Sequence, residues 1–221
     1  MTERLKQVQC FLFDMDGTLL SDRGIFVIAE KKGFLEDLIR DIKDESMKYY
    51  ERSIKIAMLS KGQSKQEFLD IFRTVPFNKN VEFVIKELKK RGLVTAIATD
   101  SYQFLADDVQ NRLDIDYAFA NKLEFDGDII TGGLEMHNKS LAKDFNSESI
   151  YSICKSCVLD QLCRDLSISV EEAAAVGDGI VDTGMIKKAG LGVAINASDK
   201  VKKHADIVIE DMAVLLDYIG E

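Results

Sequence analysis

The sequence predicts an α/β fold: a Rossmann-like open parallel sheet with a small helical cap inserted after the first strand. Three observations carry that expectation. Five short β-rich runs, Val8–Phe13, Val94–Thr99, Ala173–Val176, Leu191–Ile195 and Ile207–Ile209, are almost continuously apolar, as strands covered on both faces require. Helical patterns separate the runs, and strand alternating with helix gives parallel neighbours joined by crossovers. The alternation breaks over residues 21–77, where helical stripes occur without a convincing strand.

The elements follow in order. Val8–Phe13 delivers the chain into Asp14-Met15-Asp16-Gly17-Thr18, a glycine turn at a strand end. In the insert, Leu35, Leu38, Ile39 and Ile42 form one helical stripe, Ile54, Ala57 and Met58 a second, and Phe68, Leu69 and Phe72 a third. The only proline, Pro76, stands where the insert rejoins the core. Residues 1–20 and 78–221 are therefore expected to form the catalytic core and residues 21–77 a cap over the strand ends. Val81, Val84, Ile85 and Leu88 follow helical spacing, and Arg91-Gly92 supplies a basic last turn and a C-cap. Asp126-Gly127, between Leu123-Glu124-Phe125 and Asp128-Ile129-Ile130, signals a β-hairpin beside the core. Gly177–Gly190 carries a strand into a helix, Met185–Ala189, that stops at Gly190.

Composition narrows the function. A formal charge of −9 over 221 residues, with no basic cluster, speaks against a nucleic-acid partner. No apolar stretch approaches the roughly 20 residues that span a bilayer, so no membrane partner and a cytoplasmic location are expected. Met1–Lys6 precedes no signal-peptide apolar core. Cys154-x-x-Cys157 lacks a second pair for a zinc site, and all four cysteines are expected as free thiols. His137 and His204 have no neighbours at metal-ligand spacing and read as surface residues.

The chemistry sits at strand ends, where open α/β sheets bind ligands. Asp14 and Asp16 leave the first strand facing the same way, and two such acids repel unless a cation or shared proton offsets them. Asp14 is placed to attack phosphorus as a nucleophile, with Asp16 as general acid and then base. Thr99 offers a hydroxyl to a phosphate oxygen, and Asp100 and Ser101 are helix N-cap candidates whose free N–H groups favour anions. Lys155, 23 residues before Asp178, would bring fixed positive charge to phosphate and nucleophile. In Gly177-Asp178-Gly179-Ile180-Val181-Asp182, Asp178 can complete an oxygen shell around Mg²⁺ with Asp14, while Asp182 orients water or Lys155.

The order Asp-x-Asp-Gly-Thr, cap, Thr, Lys, Gly-Asp-Gly-x-x-Asp resembles the haloacid dehalogenase superfamily of phosphatases from about residue 8 to the C-terminus. Within it the chain is most similar to phosphoserine phosphatases, through Phe13–Leu19, Asp116–Asn121, Ala175–Gly179 and Lys187–Leu191. The resemblance implies a Mg²⁺-dependent hydrolase of a small phosphorylated metabolite acting through an aspartyl-phosphate, with the metal held by the Asp14 and Asp178 carboxylates and the Asp16 carbonyl. A phosphotransferase or mutase on the same scaffold, and a receiver-like phosphate-binding module, are the alternatives. The cap departs from the resemblance. Arg23 stands where phosphoserine phosphatases carry a glutamate for the substrate amine, with Asp22 one residue away, and Ala57 stands where they carry an arginine for the carboxylate. Asp22 and Arg23 are thus the candidate substrate-selecting residues, and phosphoserine itself is disfavoured.

Overall fold

A computed structural model describes residues 8–218; the first six residues read above for a signal peptide lie outside them. Seven strands form one sheet in the order β4-β3-β2-β1-β5-β6-β7. They are β1 (Cys10–Phe13), β2 (Val94–Tyr102), β3 (Tyr117–Asp126), β4 (Ile129–Glu135), β5 (Ala173–Gly177), β6 (Leu191–Ile195) and β7 (Ile207–Ile209). All neighbours are parallel except the β3–β4 hairpin. Its turn falls at Gly127, whose φ of 59° suits glycine.

The apolar runs become strands because they can bury both faces. In β1, Phe11 and Phe13 pack into one core with Ile97, Val176 and Val193. Cys10 and Leu12 point the other way, with Ala96, Ala98, Ala173 and Ala175. The small alanines on that face let helix α7 (Lys155–Leu166) approach, so that Val158, Leu159 and Leu162 fill the second core. A period of two thus splits each strand between two helical layers.

Between β1 and β2 the insert forms four helices, α1 (Gly24–Lys32), α2 (Leu35–Lys43), α3 (Tyr49–Leu59) and α4 (Lys65–Phe72), followed by α5 (Val81–Lys90). Helix α1 shows no single stripe, because Ile25, Phe26, Val27 and Ile28 present apolar groups all round. The stripe expected on α3 is only partly buried: Ala57 is fully enclosed, whereas Met58 is 61% exposed.

The two crossings between insert and sheet are tied together. The Ser21 amide donates to the Pro76 carbonyl at 3.0 Å and the Asn78 amide to the Leu19 carbonyl at 2.9 Å. Nδ2 of Asn78 also donates to the carbonyls of Gly17, Thr18 and Leu20, at 2.9, 2.9 and 3.0 Å. A third attachment runs through the hairpin. Gly62 N–H donates to Ile130 O at 2.8 Å, Ile130 N–H to Gln63 O at 2.9 Å and Lys65 N–H to Asp128 O at 2.8 Å.

The remaining helices, α6 (Gln103–Leu113), α8 (Thr183–Lys188) and α9 (Asp199–Lys202), complete the layers. Among the described residues no helix is long and apolar enough to cross a membrane. The expectation of four free thiols is corrected: Cys154 and Cys157 form a disulfide, and Cys10 and Cys163 remain free and buried. Cys154 is the N-cap of α7 and Cys157 its third residue. One helical turn brings their Cα atoms to 5.2 Å, within disulfide reach. His137 is half-buried, edge-on to Phe119, rather than a plain surface residue.

Candidate active site

A cavity of about 260 Å³ lies between the strand ends and the insert. Its floor comes from the sheet: Asp14 and Asp16 after β1, Asp100 and Ser101 in the last turns of β2, Lys155 at the start of α7, and Asp178 and Asp182 after β5. Asp14 is held at the mouth of β1, its amide donating to the Val176 carbonyl at 2.9 Å. Gly17 has φ of 88°, and a Cβ there would fall 2.6 Å from a carboxylate oxygen of Asp178. A glycine at that turn is what lets the two acidic loops meet.

Lys155 is the electrostatic centre. Its side chain is buried, and Nζ donates to Oδ1 of Asp14 at 2.5 Å and to Oδ1 of Asp182 at 2.6 Å. Burial alone would lower the ammonium's pKa, but Asp14, Asp182 and Asp100 carry it above the ordinary lysine value. The Asp14 carboxyl is pushed well up by burial and by Asp182, against the pull of Lys155. Asp178 is also raised, by burial first and by Asp182 second.

Asp14, Asp178 and Asp182 bring carboxylate oxygens within 4.8 Å of one another, a set that could hold a metal ion. Asp182 is already engaged: Oδ1 takes Lys155, and Oδ2 accepts the amides of Asp178 at 3.1 Å and Gly179 at 2.8 Å. Asp178 Oδ1 accepts the Thr18 hydroxyl at 2.9 Å. Oδ2 of Asp14 and Oδ2 of Asp178 are therefore the uncommitted oxygens of this set among the described residues.

The Asp16 carboxylate lies outside that cluster. Its Oδ1 accepts the amide of Gly24, the first residue of α1, at 2.6 Å. Burial, with a contribution from Asp100, pushes Asp16 up to about 7, against Gly24, Arg23 and Lys155. A Cβ at Gly24 would sit 2.5 Å from the Phe72 ring, so glycine lets this amide reach Asp16.

Thr99 is fully buried, and its hydroxyl accepts the Ser101 amide at 3.1 Å. It is absent from the cavity wall, whereas Asp100 and Ser101 line it. Neither of those two caps a helix. β2 continues to Tyr102, and α6 begins only at Gln103. The pairing of β2 with β3 is irregular between Ala98 and Tyr102, a bend the apolar run ending at Thr99 does not announce.

The insert contributes Arg23, Ile25, Phe26, Ile42, Tyr49, Arg52, Ser53 and Ile56 to the wall. Asp22 is exposed, takes Arg23's own amide on its side chain, and does not line the cavity. Arg23 keeps its charge despite burial, chiefly through Asp100 and then Asp178, Asp14 and Asp16. Sequence reasoning misses Tyr49, Arg52 and Ser53. Their spacing on α3 with Ile56 is the available signal, but the apolar stripe of Ile54, Ala57 and Met58 on another face is the more conspicuous one. Tyr49 also packs on Tyr151 from the sheet side, their rings 4.8 Å apart.

Comparison with known proteins points to one family. A family model for haloacid dehalogenase-like hydrolases matches residues 11–187. A phosphoserine phosphatase of Methanocaldococcus jannaschii is 32% identical over 220 residues, covering 97% of this chain and 99% of the relative. One from Campylobacter jejuni is 26% identical over 206 residues, covering 92% and 94%. Among solved structures, a phospho-aspartyl intermediate analogue of phosphoserine phosphatase superposes with a TM-score of 0.82 at 30% identity, covering 97% of this chain and 100% of that one. A substrate-bound phosphoserine phosphatase complex matches with the same values.

Proposed function

Since the chain belongs to the haloacid dehalogenase-like hydrolases and is a phosphatase of that family, we propose that it hydrolyses a small phosphomonoester through a phosphate ester of Asp14, with Mg²⁺ as cofactor. The observation that carries this reading is Asp14 itself: a buried carboxylate at a strand end, facing the cavity, paired with a buried lysine and free at Oδ2. Residues 1–20 and 78–221 act as the catalytic core, and residues 21–77 as the cap that closes the cavity. A cavity of metabolite size fits a small substrate, and the net charge of −9 fits a cytoplasmic enzyme without a nucleic-acid partner.

In the first half-reaction an oxygen of Asp14 attacks phosphorus and the bond to the leaving oxygen breaks. Asp16, protonated near neutrality because it is buried, gives its proton to that oxygen. In the second, Asp16 takes a proton from water as the water attacks the phosphoryl group, and Asp14 is released. Lys155 offsets the charge gathering on Asp14 and the phosphoryl oxygens. Asp100 and Ser101 border the phosphate end, and Thr99 acts there by fixing the Ser101 backbone.

The residues present fit a hard divalent cation, because the open donors are all oxygen and the acids repel one another without it. The Asp14 and Asp178 carboxylates and the Asp16 carbonyl would hold it, with Asp182 orienting Lys155. The ion would supply positive charge to the transferring phosphoryl group.

Acid quenching of wild-type protein during turnover should trap protein-bound phosphate that hydroxylamine releases. Asp14→Asn should trap none and lose turnover by several orders of magnitude while remaining folded. Wild-type turnover in that variant would overturn the assignment. Chelation with EDTA should abolish activity and added Mg²⁺ restore it; full activity in metal-free protein would reject the cofactor.

A further inference from the structure

The two sides of the cavity differ in charge. Every carboxylate on its wall comes from the sheet side, while the cap contributes two guanidinium groups and no acid. The floor acids are committed to the fold and the chemistry: Asp14 and Asp182 to Lys155, Asp16 to the Gly24 amide and Asp178 to Thr18. Arg23 is balanced chiefly by Asp100.

Arg52 is the cation left over. No salt bridge joins it to an acid among the described residues, though its charge reaches Asp44, whose carboxyl is held low by Ser46 first and then by Lys55 and Arg52. Its guanidinium lies over the Tyr49 ring, 5.1 Å from the ring centre, a contact that fixes its plane. Its Nε is shut off from solvent and has no hydrogen-bond acceptor. A buried N–H on a charged group that bonds nothing is costly; because Arg52 also lines the cavity, an anion entering beside α3 would offset the guanidinium's charge. Ser53 adds a hydroxyl on the same helix, and Ile42 and Ile56 wall the space between with apolar surface.

We infer that the leaving group carries an anionic group of its own, a carboxylate or a second phosphate, which Arg52 receives, and that it carries no free ammonium. This rests on the phosphomonoester hydrolysis proposed above. On the cavity side an ammonium there would meet the like charge of Arg52 with no cap acid on the wall beside it, whereas an added anion would meet a guanidinium. The substrate class is thus the phosphate ester of a hydroxy acid or a small bisphosphate, not of an amino alcohol.

The test compares kcat/KM in Mg²⁺ for phosphoglycolate, a sugar bisphosphate, glycerol 2-phosphate, phosphoethanolamine and phosphoserine, with p-nitrophenyl phosphate as a general reporter of phosphatase chemistry. Phosphoglycolate or the bisphosphate should exceed glycerol 2-phosphate by about tenfold and phosphoethanolamine by about a hundredfold, on the order expected for one charge-assisted hydrogen bond formed and one repulsion avoided. Which of the two anionic esters is faster identifies the second group. Phosphoserine should fall at least about tenfold below phosphoglycolate. Arg52→Gln should raise KM for the preferred anionic ester about tenfold more than for glycerol 2-phosphate, with kcat little changed. A preference for phosphoserine, or equal losses on both esters in the variant, would overturn the inference. Hydrolysis of p-nitrophenyl phosphate without any anionic preference would sink this inference and leave the phosphatase reading standing. No hydrolysis of any ester would sink both.

Discussion

Lys155 is enclosed by two carboxylates that would otherwise face each other across a buried gap. Removing one partner of such a network leaves uncompensated charge, which costs about 3–5 kcal/mol when the charges are buried. Lys155→Met should therefore lower the unfolding free energy by an amount in that range, in addition to abolishing turnover, and equilibrium urea denaturation reads it from the midpoint and slope. An unchanged midpoint would mean that Asp14 and Asp182 relax apart. At this scale much of the site is legible in the sequence. Asp14 follows an apolar run directly, Asp16 and Asp178 stand beside glycines at strand ends, and Lys155 is found by its spacing to Asp178. Thr99 and Arg52 escape such reasoning, for different reasons. Thr99 is fully buried and does not line the cavity, and its hydroxyl accepts the Ser101 amide, a placement set by the irregular end of β2. The face of α3 that looks into the cavity is decided by how the insert docks, which no local pattern encodes.

Helix α7 presents Lys155 from its first turn, and that turn is fastened by the Cys154–Cys157 disulfide. The bond closes a loop of a few residues, so chain-entropy reasoning caps its contribution at about 2 kcal/mol. Cys157→Ser should cost no more than that in chemical denaturation, and a reducing agent should shift the melting temperature of the wild type by a matching amount while leaving the variant unmoved. A second element-level contact lies where α5 begins. The Asp211 carboxylate takes Lys79, the Ala213 amide and the Asn80 side chain, which hold its pKa at about 2. Because the folded value lies below the unfolded one, this stabilisation is present above about pH 4 and is lost as pH falls toward 2. Asp211→Asn should flatten the acid limb of a stability-versus-pH curve over that window. Strands are the most legible elements, since Leu191–Ile195 and Ile207–Ile209 are apolar runs whose ends coincide with the strands. Helix α1 is the least legible, because its surface is apolar on several sides and part of it faces the cavity rather than the core.

Across the whole molecule the insert's backbone meets the sheet at two covalent crossings and along the seam with the β3–β4 hairpin. Asp128 organises that seam: its side chain accepts Ser64 Oγ and the Gln66 amide, and its carbonyl accepts the Lys65 amide. Asp128→Ala should leave the sheet intact but raise hydrogen exchange at Gly62 and Ile130 by about tenfold, the effect of losing roughly one net charge-assisted bond. Exchange unchanged at those amides would show that the backbone bonds hold the seam alone. The parallel sheet and the existence of an insert can be read from alternation and its interruption. The seam cannot, because it joins residues about 65 positions apart through backbone groups that carry no sequence signature.

The Asn78 side chain gathers three carbonyls of the chain leaving Asp14 and stands just after the chain has returned from the insert. Outgoing and returning segments are thus fastened at one joint, on the sheet side of the insert residues that line the cavity. A graft made beyond that joint should keep the geometry of Asp14. Replacing residues 22–75 with the matching segment of a phosphoserine phosphatase should transfer preference for that ester while phosphoenzyme formation at Asp14 continues. A graft that behaved so would show that one asparagine joint lets the insert be exchanged without disturbing the chemistry at Asp14.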